Sequence, residues 1–144
     1  MTNIWSILLA ILIFGCIIAI HEFGHFIAAK RNGIQVNEFA IGMGPKIFHF
    51  QKGETLYSLR LFPVGGFCSM EGEDAESKNA RAFDQKPVWR RMIVVLAGAF
   101  MNLVLGFVLL IATTCSDPYL ISNTIHGFHE QATSNTCGLQ TGDT

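Results

Sequence analysis

The sequence predicts an α-helical membrane protein, with two transmembrane helices and a small antiparallel β region between them. Three observations lead there. Two apolar blocks, Ile4 to Ala29 and Met92 to Thr113, are each long enough to cross a bilayer, which takes about 20 residues at ~1.5 Å per residue. The stretch joining them changes to Val, Ile, Phe, Tyr and Thr, punctuated by glycine. Every Lys and Arg of the chain, from Lys30 to Arg91, lies in that joining stretch.

The composition agrees. Of the 144 residues, 50% are hydrophobic and 15% charged, and the mean hydropathy is +0.38. A soluble domain carries more charge. A net charge of −1 marks no nucleic-acid surface, and no nucleic-acid partner is expected. The first block is unlike a secretory signal: Met1 to Asn3 carry no cation, the apolar run is too long, and no small-x-small site follows it. Two buried core hairpins of a soluble protein would leave too little chain to cover them.

Taken in order, the first helix spans about 4–29. Lys30 and Arg31 close it, and Asn32-Gly33 is a stop signal. About 35–70 is the β region. "VNEFAIGMGPKIFHF" and "TLYSLRLFPVGGFCSM", with turns at Gly44-Pro45, Lys52-Gly53 and Gly65-Gly66, predict three or four short strands. Their apolar content places them on the membrane or dipping toward the helices, with their edges satisfied by protein. Residues 71–86, "EGEDAESKNARAFDQK", predict a mobile polar linker. The second helix spans about 87–114, with Pro87 in its first turn and Trp89, Arg90 and Arg91 at the inner interface. Residues 115–144 form a polar segment. The cation bias puts about 30–91 in the cytoplasm and both termini outside, in a multi-pass cell-membrane protein in contact with lipid. The four cysteines hold no CxxC, so they form neither a zinc knuckle nor a disulfide framework. Cys115 and Cys137 share the outer side and could pair there or stay free.

The chemistry sits in "HEFGH", His21 to His25. On a helix, positions i and i+4 lie on one face a turn apart, so both imidazoles can reach one metal ion. Zinc suits that pair, with Glu22 beside it as general base toward water. A histidine on an apolar face is ordinarily a core residue, and a chance pair is conceivable. Depth argues otherwise. Counted back from Lys30, His25 lies ~7 Å and His21 ~13 Å inside the span, where ionisable groups are costly and kept for function. Catalytic zinc takes three protein ligands. The candidates for the third are Glu38, Asp74, Asp84, His49 and Cys68, each of which otherwise reads as part of a solvated loop. In the second span, Gly98, Asn102 and Gly106 recur every fourth residue. That stripe reads either as close helix packing or as Asn102 facing the metal site to position a substrate or orient a ligand.

Together these segments resemble the site-2 protease family of intramembrane zinc metalloproteases, in its bacterial RseP-like branch. HEFGH resembles the family's zinc motif. "EFAIGMGPKIF" and "YSLRLFPVGGFCSMEGE" resemble its membrane-associated β region. "AFDQKPVWRRMIVVLAGAFMNLVLGF" resembles its second span, with Asn102 at the intramembrane Asn, and "CGLQTGDT" resembles the opening of a PDZ domain. Ala99 stands where the family usually has Pro.

The resemblance implies that 1–114 is the N-terminal part of a membrane metalloprotease domain and that 115–144 enters a PDZ domain cut short. It further implies a zinc endopeptidase acting on transmembrane segments, such as anti-sigma factors or remnant signal peptides. His21 and His25 would bind Zn2+ and Glu22 would activate water, while Gly65 and Gly66 lie in the strands that would hold substrate extended. The family's third ligand is an Asp on a later span, without counterpart in this sequence, so the 144 residues alone are expected to be inactive. The alternatives are a catalytically inactive membrane module with a scaffolding or regulatory role, and, more remotely, a metal transporter, for which two spans make no pathway.

Overall fold

A computed structural model of the chain describes residues 3–116, 125, 127, 128 and 138–143. It contains, in order, helix α1 (Ile4–Arg31), strands β1 (Val36–Lys52) and β2 (Thr55–Met70), and helix α2 (Val88–Ser116). The chain divides into two units, 1–109 and 110–144.

Both helices are long and apolar enough to cross a membrane, with a mean hydropathy of 2.6 over their best stretches. The outer length of α1 is bare hydrocarbon, with Ile4, Trp5, Leu8, Leu9, Leu12, Ile13 and Phe14 all exposed. Its end is built by the residues the sequence singles out. Asn32 donates its side-chain amide to the Ala28 carbonyl at 2.8 Å, and Gly33, at φ +68°, turns the chain out of the helix. Lys30 and Arg31 sit in the last turn, where a cation is favoured by the helix dipole by about 0.3–1 kcal/mol each.

The sheet differs from the expected three or four short strands. It consists of two long strands, paired antiparallel overall, that bend instead of breaking. Val36–Ile41 run opposite Gly66–Met70, while Glu38–Ile41 also pair, with both residue numbers rising, with Leu56–Leu59. Lys46–Lys52 return along Thr55–Arg60. Positive-φ glycines at Gly42 and Gly44 bend β1, and the segment around Pro63 to Gly65 bends β2. The first half of β1 therefore has a partner on each edge. Gly66–Met70 pair on one edge only among the described residues.

The strands lie against α1 itself. Pro63 of β2 packs its carbonyl on Gly15, Val64 lies beside Ile11 and Phe14, and Gly66 lies beside Glu22. Glu54, at the hairpin turn, pairs with Lys30. From Lys30 to Gly15 is ~22 Å of helix, so the strands accompany α1 to about the middle of the span. Irregular backbone at that depth survives only where protein satisfies it, and here the ladder of the neighbouring strand does so.

The core gathers where the chain changes direction. Ala28, Ala29, Ile34, Val36, Phe39, Cys68, Met70 and Val94 are buried together, with Phe26, Tyr57, Phe83 and Ala97 packed around them. Residues 71–86 are polar but do not form the mobile linker their composition suggests. Gln35 N–H donates to the Arg81 carbonyl (2.9 Å), Glu71 N–H to the Gln35 carbonyl (3.0 Å) and Phe83 N–H to the Glu71 carbonyl (2.7 Å). The Glu71 carboxylate accepts from Asn37 and Ser77, and Ala82 is fully buried. The loop's polar groups are spent on the Gln35 backbone and on the Gln35 and Asn37 side chains at the start of β1.

In the second unit, Ile125 N–H donates to the Asp143 carbonyl (2.9 Å) and Gly142 N–H to the Ile125 carbonyl (2.8 Å), closing a turn over 140–143. Those few residues show no PDZ domain, and Cys137, whose pairing with Cys115 the sequence leaves open, lies outside the described residues. Cys16, Cys68 and Cys115 are free thiols.

Glu54 ties three elements together, accepting from Lys30 at 2.6 Å and from both Arg81 terminal nitrogens. Arg81 first and Lys30 second hold its carboxyl down to about 2, from an ordinary 4.5. A depressed carboxylate stabilises the fold above its ordinary pKa, and that contribution disappears as pH falls from 4.5 toward 2. The clamp is partly open to solvent, so its worth is about 1 kcal/mol. The unfolding midpoint of the detergent-solubilised protein should drop across that window, and Glu54→Gln should flatten that part of the drop. An identical acid profile in the variant would contradict the assignment.

Candidate metal centre

α1 presents His21 and His25 one turn apart, as their spacing dictates, and their Nε2 atoms converge to 3.2 Å. The rings meet edge to face, with centroids 4.8 Å apart. What holds them so is α2. The carbonyl oxygen of Val94 accepts from His25 Nδ1 at 2.7 Å, and the Asn102 amide lies 3.2 Å from His21 Nδ1. Between those two positions on the same helix face comes Gly98. A methyl group there would stand 2.5 Å from His25 Nε2 and 2.6 Å from His21 Nε2. The stripe is therefore Val94, Gly98 and Asn102, at intervals of four. Gly106, the next repeat, meets nothing within 4 Å.

The helices approach closely on small residues. Gly24 of α1 abuts the Ala97 backbone and the Met101 side chain, with no room for a methyl group. Glu22 lies on the other side of His21, toward the sheet. Its Cγ is 3.5 Å from where a side chain on Gly66 would begin, and that same position is 2.9 Å from the Ala40 carbonyl. Gly66 thus lets β2 pass between β1 and the Glu22 side chain. Gly65, at φ +91°, packs on the Met43 side chain and carries the bend.

This arrangement fits a metal such as zinc. Each imidazole gives its Nδ1 to a partner on α2, which leaves the two Nε2 atoms aimed at one point. For His25, whose Nδ1–H is donated to a backbone carbonyl, that is the outer-shell arrangement metal-binding histidines require. The bare Cα of Gly98 keeps the space in front of both nitrogens open.

None of the five expected third ligands joins them, and among the described residues no group of three His, Cys, Asp or Glu is placed to hold a metal. Glu38 is engaged by Ser58, Arg60 and Lys46. Asp84 accepts from Ser77 N–H and Gln85 in the 71–86 loop. His49 is exposed on the outer half of β1, and Asp74 is exposed in its loop. Cys68 is close enough to feel Glu22, but burial, with the Glu22 and Glu73 charges adding, pushes its thiol up to about 12.

Two features escaped the sequence reading. The Val94 carbonyl is a backbone group and leaves no residue-type signal, although its position on the Gly98–Asn102 stripe does. Glu73 follows the β region and was passed over as linker. It accepts from Met70 N–H at 3.2 Å and is electrostatically coupled to His25 and Glu22. The residue is open to solvent overall, yet partial burial of its carboxyl, with the Asp74 and Glu22 charges, raises its pKa.

The chain is similar to known proteins along most of its length. The model of peptidase family M50 matches residues 9–140. A candidate zinc metalloprotease of Clostridium perfringens is 44% identical over 137 residues, covering 95% of this chain and 41% of that protein. Another, of Clostridium acetobutylicum, is 41% identical over 142 residues, or 99% of this chain and 42% of the relative. A third, of Staphylococcus aureus, is 53% identical over 76 residues, covering 53% of this chain and 18% of its own length. The chain thus spans about two fifths of the length of the first two relatives.

If Gly98 keeps the metal space open, Gly98→Ala should weaken zinc binding at least about tenfold while leaving the helix content measured by circular dichroism unchanged. Zinc binding equal to that of the unsubstituted protein would show that the glycine serves packing alone.

Proposed function

The chain belongs to peptidase family M50, and we propose that it supplies the zinc-binding and proton-transferring part of a membrane-embedded endopeptidase that cleaves transmembrane segments. The observation that carries this reading is the convergence of His21 and His25 Nε2 to 3.2 Å, opposite the open space at Gly98, inside a span-length apolar helix. Anti-sigma factors and remnant signal peptides are the substrate classes the family resemblance suggests.

Zinc held by His21 and His25 would supply Lewis-acid polarisation where water meets the scissile carbonyl. The rest is done by side chains of this chain. Glu22 takes a proton from the attacking water and returns it to the amine as the carbon–nitrogen bond breaks. Gly66 keeps β2 close beside Glu22, and the outer edge of Gly66–Met70 has no strand on it among the described residues. An extended peptide could add there by main-chain hydrogen bonds and pass by the base. A transmembrane segment is helical and must open before it can lie so. Gly65 and Gly66 are the points at which the edge has no side chains of its own to obstruct it.

The third ligand comes, on this reading, from a part of the protein beyond these residues, and the turn at 140–143 opens a further domain of PDZ type. Residues 30–91 begin and end on the cytoplasmic side, with the strands running in alongside α1. A second reading is favoured by the two-ligand site: the 144 residues by themselves form a membrane module without hydrolytic activity.

In the full-length protein, Glu22→Gln should retain zinc and lose cleavage by at least about a hundredfold; cleavage at the unsubstituted rate would sink the mechanism. A phosphatase reporter that is active only outside the cytoplasm should be silent when fused after Asp74 and active after Ser116. The opposite pattern would reverse the topology.

A further inference from the structure

The hydrogen-bond chain through the two imidazoles specifies where each proton sits. A carbonyl can only accept, so at 2.7 Å from the Val94 oxygen His25 carries its proton on Nδ1 and leaves a lone pair on Nε2. His21 Nε2 lies 3.2 Å from that lone pair and donates to it, so the His21 proton is on Nε2 and its Nδ1 accepts. The Asn102 amide nitrogen, 3.2 Å from His21 Nδ1, supplies the donor. The chain runs in one direction, from Asn102 to His21 to His25 to Val94. At its head one atom is left over, since the Asn102 Oδ1 is buried without a hydrogen-bond partner among the described residues.

That order suits the metal-free pair and cannot persist with metal. A bound ion needs the lone pairs of both Nε2 atoms. His25 already offers one. His21 does not, and to do so it must carry its proton on Nδ1, which then needs an acceptor. Among the described residues, the polar side chain at His21 Nδ1 is Asn102, whose unpaired atom is an acceptor oxygen. The two ends of a carboxamide have nearly the same shape, so a half-turn exchanges them without disturbing the packing around α2.

We infer that Asn102 is a positioning residue for His21, presenting its amide nitrogen to the metal-free pair and turning its oxygen to hold the Nδ1–H tautomer that binds metal. The inference rests on the zinc-site reading above and adds to it a specific role for the second helix. Val94 fixes the tautomer of one ligand permanently through a backbone carbonyl. Asn102 fixes the other in a way that can be reversed, which couples metal loading to the orientation of a single amide.

The test is zinc titration of the full-length protein in detergent, with histidine nitrogen NMR of the metal-free and zinc-loaded states. Asn102→Leu, which has no acceptor, should weaken zinc binding about 10–100-fold. Asn102→Asp, which keeps the acceptor and lacks the donor, should bind zinc at least as well as the unsubstituted protein. In the latter, His21 should carry its proton on Nε2 without zinc and on Nδ1 with it. Circular dichroism of metal-free Asn102→Leu separates a lost acceptor from a lost fold, and the Asp variant tests the role independently of that one. Equal affinity in the folded Leu variant, a loss in Asp as large as in Leu, or one His21 tautomer in both states would overturn the inference. Cleavage by Glu22→Gln would remove the protease mechanism and leave these binding and NMR results standing.

Discussion

The rest of the structure depends on the contact between two imidazole nitrogens and one glycine. His21 and His25 can converge only if the facing helix gives way, and α2 does so at Gly98, where any side chain would meet both rings. That approach sets the distance between the helices, which Gly24, between the two histidines in sequence, maintains against Ala97. It also determines which α2 groups reach the rings: Val94 four residues before the glycine and Asn102 four after. Membrane helices gain little from hydrophobic association, so close packing and polar contacts have to hold them together. Here the same few contacts join the helices and orient the ligands.

In the function proposed above, the sheet answers a different requirement. A peptide bond inside a transmembrane helix is sheltered by its own hydrogen bonds, and hydrolysis requires it to be extended and within reach of water. Strands at membrane depth are tolerated only when their polar groups are paired. β1 meets that condition over Glu38–Ile41, which are paired on both edges, while Gly66–Met70 of β2 have a partner on one edge among the described residues. The anchoring is remote from the site. Glu54 is clamped by Lys30 and Arg81 at the hairpin turn, and the 71–86 loop is laid on Gln35 and Asn37. Rigidity at the hairpin end thus supports an edge strand that passes Glu22 at Gly66.

Much of this was legible in the residues, and the division is physical. The spans, the stop at Asn32-Gly33 and the HEFGH face follow from local periodicity and residue type, which a sequence displays directly. Asn102 and Gly98 were visible as a stripe, but a stripe does not say what it faces, and the Val94 carbonyl has no side-chain signature at all. The strand count was missed because glycine–proline and glycine pairs look the same whether a strand ends or bends. The loop at 71–86 has the composition of a mobile linker. Its Glu71 and Asn79 side chains instead bond to Asn37 of β1 and Gln35 just before it, and Ser77 donates to Glu71 within the loop, pairings set by tertiary structure. The third-ligand search failed for a related reason. Glu38 and Asp84 are acids of the right type, already committed to cations, amides and hydroxyls.

A site made of two imidazoles, a base and an open space is a specific chemical claim, and X-ray absorption at the zinc edge of the loaded full-length protein tests it most directly. The account predicts two imidazole nitrogens at about 2.0–2.1 Å with oxygen completing the shell, and loss of one imidazole's scattering in His21→Ala. A sulfur shell at about 2.3 Å, or a spectrum unchanged by that substitution, would contradict it.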